Sequence, residues 1–415
     1  MYVHPHAAVL DTPIDRALFY VAFVLYIIGA FFSQTTFSEV GLPVNVLFWV
    51  CQVAAAIALV SKLLLQRCAA REWLVALALI GLGLISYMNS LEPYFFWIIL
   101  FVVCGKGVDI QNLAVIVLYV ITPLLLITIV CALFGAIPSY YMEGTTTRIM
   151  RNSLGFLHPN RLGQYLFTIC IAFATVDYEK KLLRTIIVST ICFLLCFLVC
   201  DSRSACVGIV IVVFGTLCMP LFKKHQRAFS LCTIFILVLS FALSMALMVS
   251  YNSANPLWVD INQLLTGRLA LMHQGYESYG ISLFGQECTG GPIVGYSLAT
   301  QTPYYFAVDN AYAHSIIKYG LIPTVVLFLL IGMVFASSYR KSVFTAGLFG
   351  LVVLIAIGIS EMDLFYVECN YFVVMLSPLL YRGCEGSQDM RGYLPYVSRT
   401  TTTSNLETNK LHSQK

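Results

Sequence analysis

The sequence predicts an all-α polytopic membrane protein. Of its 415 residues, 59% are hydrophobic and only 11% are charged, and the mean hydropathy is +0.85. A soluble domain carries about 25% charged residues, so this chain cannot cover a water-facing surface with charge. The apolar residues also form continuous runs, whereas the strands of an outer-membrane barrel alternate polar and apolar positions. Soluble, disordered and fibrous proteins are therefore excluded.

The apolar runs predict about twelve transmembrane helices, because about 20 apolar residues cross a bilayer. In chain order, the predicted limits are 17–33, 44–65, 73–89, 93–104, 112–136, 161–177, 182–200, 205–222, 229–250, 312–336, 343–360 and 362–381. The fourth run is short, and a very tight turn separates the last two. The first run lacks the basic flank and cleavage site of a signal peptide, so we interpret it as a span.

Charge in the loops predicts the orientation of these spans. With twelve spans and the N-terminus inside, 18 of the 24 Lys and Arg residues lie on the inner side and six on the outer side. This bias follows the positive-inside rule and places both termini in the cytoplasm. The net charge of +4 then reflects topology, and it does not indicate nucleic acid as a partner.

The chain divides into a membrane domain and a tail. We interpret residues 1–381 as a single membrane domain and residues 382–415 as a polar, Ser/Thr-rich cytoplasmic tail that is disordered. Most of the fourteen cysteines fall within predicted spans. We interpret them as small packing residues rather than metal ligands, and they indicate no external disulfide framework.

Two outer segments, 137–160 and 251–311, are longer than simple connectors, and long loops often carry function. In the first, Arg148 and Arg151 are three residues apart and would share one face of a helical turn. His158, a proline and Asn160 then open the next span. A helix N-terminus beside a basic pair is a favourable place for an anion.

The second outer segment contains an amphipathic pattern and a polar end. Apolar residues over 258–276 recur every three or four positions, which predicts a helix on the outer membrane surface or on the other helices. Arg268 lies beside this stripe. Asp309 and Asn310 precede the tenth predicted span, and His314 follows one helical turn later.

Two smaller polar groups lie at the ends of other spans. Asp201, Ser202, Arg203 and Ser204 form the turn between the seventh and eighth spans. Glu361, Asp363 and Glu368 cluster at the start of the last span. Acidic residues at such depths are costly and often functional.

Four segments resemble motifs of the polysaccharide polymerase and O-antigen ligase superfamily, in that family's order. GFLHPNRLGQYLF resembles its GxxxxxN-x-x-G motif, and DSRSACVGIVIV resembles the start of its SRSA helix. TGRLALM followed by LFGQ is similar to its SGR segment, and DNAYAHSIIKYGLIPTVVLFL is similar to its [HD]N helix. The resemblance covers roughly residues 145–380, and the first five spans match in hydropathy only.

The resemblance implies a Wzy-type polymerase, a membrane-embedded glycosyltransferase of GT-C-like architecture. Such enzymes join polyprenyl-diphosphate-linked oligosaccharide repeat units at the outer face of the bacterial cytoplasmic membrane. It implies no cofactor. The partners it implies are the lipid-linked substrate, the bilayer, a chain-length regulator and a flippase. Ligases of the superfamily usually carry His where this chain has Asp309, which favours the polymerase.

The charges fit this reaction class. A departing diphosphate develops negative charge, which arginines stabilise through bidentate contacts. We therefore hypothesise that Arg151, Arg203 and Arg268 hold the diphosphate, with Arg148 and Arg161 in support. No group of His and acidic residues has the spacing of a metal site.

The acceptor sugar hydroxyl needs a base or a hydrogen-bond acceptor. Asp309 is the first candidate, although Asp at this position would also suit a helix cap; His158 and His314 compete for the role. The candidates for binding the acceptor glycan are Glu143, Glu361, Asn160 and Asn310.

Three other classes share parts of this pattern. A transporter or flippase would also have twelve spans, but it tends to show repeated halves and broken helices near the midplane, and here the halves do not resemble each other. A dolichol-mannose-type glycosyltransferase usually has paired acids in its first outer loop, where this chain has only Glu39. A ligase of the same superfamily differs in its acceptor, so that alternative stays open.

Overall fold

Long apolar helices form the outside of the protein, and shorter helices fill its interior. The computed structural model describes residues 13–142, 150–178, 181–289, 295–296, 303–305 and 308–381, which belong to one compact unit. Eight helices in this part of the chain are long and apolar enough to cross a membrane. They agree with the predicted all-α polytopic membrane protein. The predicted tail, 382–415, lies outside the described residues.

The described helices and strands follow in chain order. The α-helices are α1 (Pro13–Ser33), α2 (Val44–Leu65), α3 (Ala70–Ser90), α4 (Tyr94–Cys104), α5 (Ile110–Leu133), α6 (Pro159–Val176), α7 (Leu182–Leu195), α8 (Arg203–Lys224), α9 (Gln226–Ser250), α10 (Pro256–Leu264), α11 (Arg268–Tyr279), α12 (Ala311–His314), α13 (Leu321–Lys341) and α14 (Ala346–Ile357). Two antiparallel hairpins pair β1 (Tyr141–Met142) with β2 (Arg151–Asn152) and β3 (Gly295–Tyr296) with β4 (Pro303–Tyr305). π-helical turns occupy Cys196–Cys200 and Ser315–Tyr319, and 3₁₀ helices occupy Thr36–Val40 and Tyr371–Leu379.

The eight long helices expose apolar side chains on one face. They are α1, α2, α3, α5, α7 with its π turn, α8, α9 and α13. Large side chains such as Trp49, Leu64, Leu183 and Phe235 are exposed on them. Exposed apolar surface of this extent is characteristic of a membrane interaction, so these faces meet lipid.

The interior is built around α6 and α14. Both are buried along most of their length, and α6 packs against α5, α7, α8 and α14. The chain after α14 fills the remaining space and packs against α4, α5, α13 and α14. With 11 and 12 residues, α4 and α14 are too short to be counted with the eight.

The prediction of a continuous helix over 362–381 is wrong. After α14 the chain makes successive turns until the 3₁₀ helix begins at Tyr371. Asn370 Nδ2 donates to the Leu364 carbonyl at 2.6 Å, and Pro378 lacks a backbone donor for a regular helix. Irregular backbone at membrane depth is tolerated when it is buried in protein, as this segment is.

Two other predicted helices are interrupted. The tenth predicted span, 312–336, breaks at Gly320, where the π turn ends and α13 starts. The amphipathic helix over 258–276 is two helices, because Thr266 and Gly267 have φ values of 56° and 85°. Its apolar stripe is nevertheless packed: Leu269 and Met272 are buried in one cluster with Met248 on α9.

Polar contacts at one end of the bundle join loops that the prediction places on the inner side. Lys62 Nζ donates to Gln66 Oε1 and to the Lys106 carbonyl, both at 3.1 Å. Gln66 Nε2 in turn donates to the Tyr381 hydroxyl at 2.7 Å. The ends of α2 and α4 therefore meet the end of the described chain.

At the other end, a glycine pair lets two backbone segments touch. Leu321 N donates to the Ser282 carbonyl at 2.9 Å, and Ile322 N donates to the Leu283 carbonyl at 3.0 Å. A Cβ on Gly320 would lie 2.3 Å from the backbone nitrogen of Gly285. This contact fixes the segment after α11 to the start of α13.

We expect Gly320→Ala to lower the thermal midpoint of unfolding strongly. Its φ of +94° and ψ of 168° fall in a region that costs other residues about 1–3 kcal/mol, and the added Cβ would separate the paired segments. Thermal unfolding of the purified protein in detergent measures this. Gly332→Ala is the matched control on α13, because no heavy atom lies within 4 Å of its added Cβ; equal midpoints for the two variants would contradict the expectation.

Candidate functional site

Glu361 joins three helices at the end of the bundle opposite Lys62 and Gln66. Its Oε1 accepts hydrogen bonds from Ser204 Oγ on α8 and from Arg268 Nη2 on α11, the latter at 2.7 Å. Its Oε2 accepts from Gln164 Nε2 on α6 at 3.4 Å. The carboxyl is only 4% exposed, and burial raises the pKa of Glu361 while the guanidinium of Arg268 opposes that rise.

Arg268 lies between a buried and an exposed carboxylate. Its Nε is 3.7 Å from Asp309 Oδ2, and the side chain of Asp309 is 42% exposed. Burial alone would lower the pKa of Arg268, but Glu361 and then Asp309 raise it above its ordinary value. Arg268 is therefore a permanent cation at the edge of the cluster, where a ligand can reach Asp309.

Arg151 belongs to the same region but is held inside the protein. Its Nε donates to the Cys200 carbonyl at 2.8 Å, and its Nη2 donates to Asn160 Oδ1. The β1–β2 hairpin presents it, since Arg151 pairs with Met142. Arg151 thereby connects the first long outer segment to the π turn after α7 and to the start of α6.

Arg161 is connected to Glu361 through Gln164. Its Nη1 donates to Gln164 Oε1 at 3.0 Å and its Nη2 donates to the Tyr366 hydroxyl at 3.2 Å. The guanidinium also lies over the Tyr366 ring, 4.6 Å from its centroid, in a cation–π arrangement. Gln164 thus bridges Arg161 to Glu361.

Arg203 is the first residue of α8 and the most exposed of the described candidate arginines. Its side chain is 45% exposed, and its Nε lies 3.9 Å from Asp201 Oδ1. The turn before it is unusual, because a π-helical turn ends at Cys200 and Asp201 has a φ of 39°. π turns are frequent at functional sites, and the second described one, Ser315–Tyr319, follows His314.

His314 faces an acid from a different part of the chain. Its Nε2 is 3.2 Å from Glu92 Oε2, Lys318 Nζ is 3.9 Å from the same oxygen, and the Tyr319 hydroxyl donates to Glu92 Oε1 at 3.1 Å. Burial alone would raise the pKa of Glu92, but His314 and Lys318 lower it below its ordinary value. The Glu92 carboxylate therefore holds the second π turn against the loop between α3 and α4.

The other candidate residues serve as helix caps. His158 Nδ1 accepts from the backbone N–H of Asn160 at the start of α6. Asn310 Oδ1 caps α12, and its Nδ2 donates to Ser244 Oγ and to the Ile359 carbonyl. The contacts of Asn310 are thus made within the protein. Glu143 and Arg148 lie outside the described residues.

Sequence reasoning missed Glu92, although a signal was present. It is the only charged residue between positions 73 and 105, and an isolated acid between apolar spans is costly unless it is paired. Ser204 was noted only as part of a turn, and no pattern indicated its contact with Glu361. Among the described residues, no group of three His, Cys, Asp or Glu could hold a metal ion.

The arrangement can bind an anion beside a carboxylate. Arg268 is the partly exposed cation and Asp309 is the accessible carboxylate. Arg161 and Arg151 lie behind them, and Asp363 and Glu368 are buried acids within electrostatic range of Arg161. A comparison with protein-family models, curated proteins and solved structures finds no match to this chain.

We expect Glu92→Gln to destabilise the protein at neutral pH by roughly 1–3 kcal/mol, because the variant loses charged hydrogen bonds in a largely buried cluster. The folded-state pKa of Glu92 lies below the ordinary value of 4.5. The carboxylate therefore stabilises the fold above that value and loses its contribution as pH falls through the folded-state pKa.

Thermal unfolding of wild type and variant across pH measures this difference. The deficit should be largest near neutral pH and shrink below pH 4.5. Glu277→Gln, on the exposed face of α11, is the control and should melt like the wild type. A deficit for Glu92→Gln that stays constant with pH would refute the ion-pair explanation.

Proposed function

We propose that this chain is a Wzy-type membrane glycosyltransferase. It polymerises polyprenyl-diphosphate-linked oligosaccharide repeat units at the outer face of the bacterial cytoplasmic membrane. The observation that carries the proposal is the position of Arg268, which is held between the buried Glu361 and the accessible Asp309. Arg268 and Asp309 place a cation and a carboxylate side by side at the accessible edge of the site. Glycosyl transfer needs both, the cation to stabilise the leaving group and the carboxylate to activate the acceptor hydroxyl.

In the proposed step, a hydroxyl of the acceptor sugar attacks the anomeric carbon of the donor. The bond between that carbon and the diphosphate oxygen breaks, and the diphosphate leaves with the electron pair. Arg268 stabilises the negative charge that develops, because a guanidinium matches phosphate oxygens in bidentate geometry. The hydroxyl proton passes to Asp309.

Geometry ranks the three candidate bases. His314 is 4% exposed and faces Glu92, and His158 uses Nδ1 to cap α6. The Asp309 side chain is 42% exposed and lies beside Arg268, so we assign it as the acceptor-activating group. Arg203 meets the diphosphate from α8, and Arg151 and Arg161 strengthen the positive potential from inside.

The proposal includes the twelve-span topology. In it, α4, α6, α14 and the final segment complete the set begun by the eight long helices, and both termini are cytoplasmic. Glu361 and the residues that bind it, Ser204, Arg268 and Gln164 (the Glu361 cluster), then face the outer side, where lipid-linked repeat units arrive. A chain-length regulator and a flippase are proposed as functional partners.

We expect Arg268→Ala to reduce polymerisation by about 10²-fold or more, as does removal of one donor to a developing charge in other enzymes. Arg268→Lys should be intermediate, because it keeps the charge but loses the fork geometry. The measurement is the length distribution of surface polysaccharide in a deletion strain that expresses each variant. Long chains should disappear while single repeat units still reach the surface.

Arg227→Ala is the control for this experiment, because Arg227 is exposed and contacts Ser342 Oγ at the opposite end of the bundle. Normal chains from Arg268→Ala at normal protein level would reject the diphosphate role. Retention of lipid-linked units inside the cell would indicate a flippase instead. Full-length polymer that is not attached to its final acceptor would indicate a ligase.

We expect Asp309→Asn to lower kcat by about 10²–10⁴-fold, the usual contribution of a general base. The amide keeps the shape of the side chain, so the thermal midpoint should change little. The assay is turnover of purified protein with a lipid-linked donor. Wild-type turnover by this variant would exclude Asp309 as the base.

A further inference from the structure

A lipid-facing groove runs between α7 and α8 and ends beside the candidate site. It has a volume of about 720 Å³ and is lined by Phe193, Phe197, Leu198, Asp201, Arg203, Cys206, Val207, Val210 and Ile211. Ligand sites commonly measure about 300–1,000 Å³. The groove is thus large enough to bind part of a lipid.

Side-chain sizes on the two helices create this groove. Phe193 on α7 and Phe197 on the π turn that follows it lie one turn apart with parallel rings, 6.0 Å between centroids, and form one wall. The facing positions on α8 carry smaller side chains, Cys206, Val207 and Val210. These are too small to fill the space opposite two phenyl rings.

The polar residues of the groove lie at one end only. Asp201 and Arg203 are at the turn between the helices, and the lining positions further along are apolar or Cys. The lining on α8 extends from Arg203 to Ile211, which is about 12 Å at 1.5 Å per residue. An apolar channel with a half-exposed arginine at one end complements an amphiphile with an anionic head and a hydrocarbon tail.

The head end of the groove lies next to the Glu361 cluster along α8. Ser204 follows Arg203 on the first turn of α8, and its Oγ donates to Glu361, which also binds Arg268. A phosphate at Arg203 is therefore next to the residues proposed to bind the leaving diphosphate. A phospholipid headgroup at Arg203 would gain nothing from this proximity, because it is not the leaving group of the proposed reaction.

We propose that the groove between α7 and α8 binds the first isoprenoid units of the carrier lipid, with the diphosphate at Arg203. This inference rests on the proposed function, because that function supplies the lipid diphosphate. The groove extends less than half of the roughly 30 Å hydrocarbon thickness. The rest of the tail therefore continues into the bilayer.

The kinetic test combines a substitution that fills the groove with donors that differ in their lipid chain. Val207→Trp blocks the groove, and Val238→Trp on α9 is its matched control, since both valines are exposed to lipid, at 55% and 61%. Each variant is assayed with two donors that carry the same oligosaccharide diphosphate, one on a polyprenyl chain and one on an ethyl group. For Val207→Trp, KM should rise by about tenfold for the polyprenyl donor relative to the ethyl donor. Equal changes for both donors, or the same change in Val238→Trp, would overturn the proposal.

A binding measurement tests the groove without turnover. Wild-type protein in phosphatidylcholine vesicles is irradiated with polyprenyl diphosphate that carries a diazirine in its first isoprenoid unit, and the labelled peptides are identified by mass spectrometry. Labels should concentrate on residues 193–211, compete with unlabelled polyprenyl diphosphate and decrease in Val207→Trp. Labelling elsewhere, or displacement by phosphatidylglycerol alone, would reject the groove. Labelling as expected with no turnover of either donor would reject the proposed function and retain the lipid site.

Discussion

The buried ion pair between Arg268 and Glu361 is the interaction on which the candidate site depends. Two charges removed from water are costly unless their geometry is good and further hydrogen bonds satisfy them. Ser204 and Gln164 supply those bonds from α8 and α6. The pair is therefore stable only when α6, α8, α11 and the turn after α14 are all in place, so assembly of the fold and assembly of the site are one event.

Arg268 and Arg161 have partners of different charge. Arg268 is balanced by two carboxylates, whereas the direct contacts of Arg161 are with the neutral Gln164 and Tyr366. Neutral partners orient a guanidinium without cancelling its charge. Arg161 thus stays ordered by neutral partners, while the buried acids Asp363 and Glu368 lie within electrostatic range of it.

Hydropathy predicted the long helices well, because a lipid-facing helix needs a continuous apolar run wherever it lies in the chain. It failed over 362–381, where the residues are apolar but enclosed by protein, so that burial and not regular hydrogen bonding decides the backbone. The candidate site was predicted in part, since Arg268, Asp309 and Glu361 stood out as charges near apolar segments. Their pairing across 93 residues could not be predicted from spacing, and neither could the contact between Glu92 and His314 across 222 residues.

The short interior helices have a consequence for how the protein enters a membrane. A segment inserts on its own when about 20 apolar residues span the hydrocarbon, and neither α4 nor α14 reaches that length. The turns after α14 expose backbone groups that only surrounding protein can satisfy. These elements must therefore enter against helices that are already inserted, so biogenesis completes the interior of the fold and the site together.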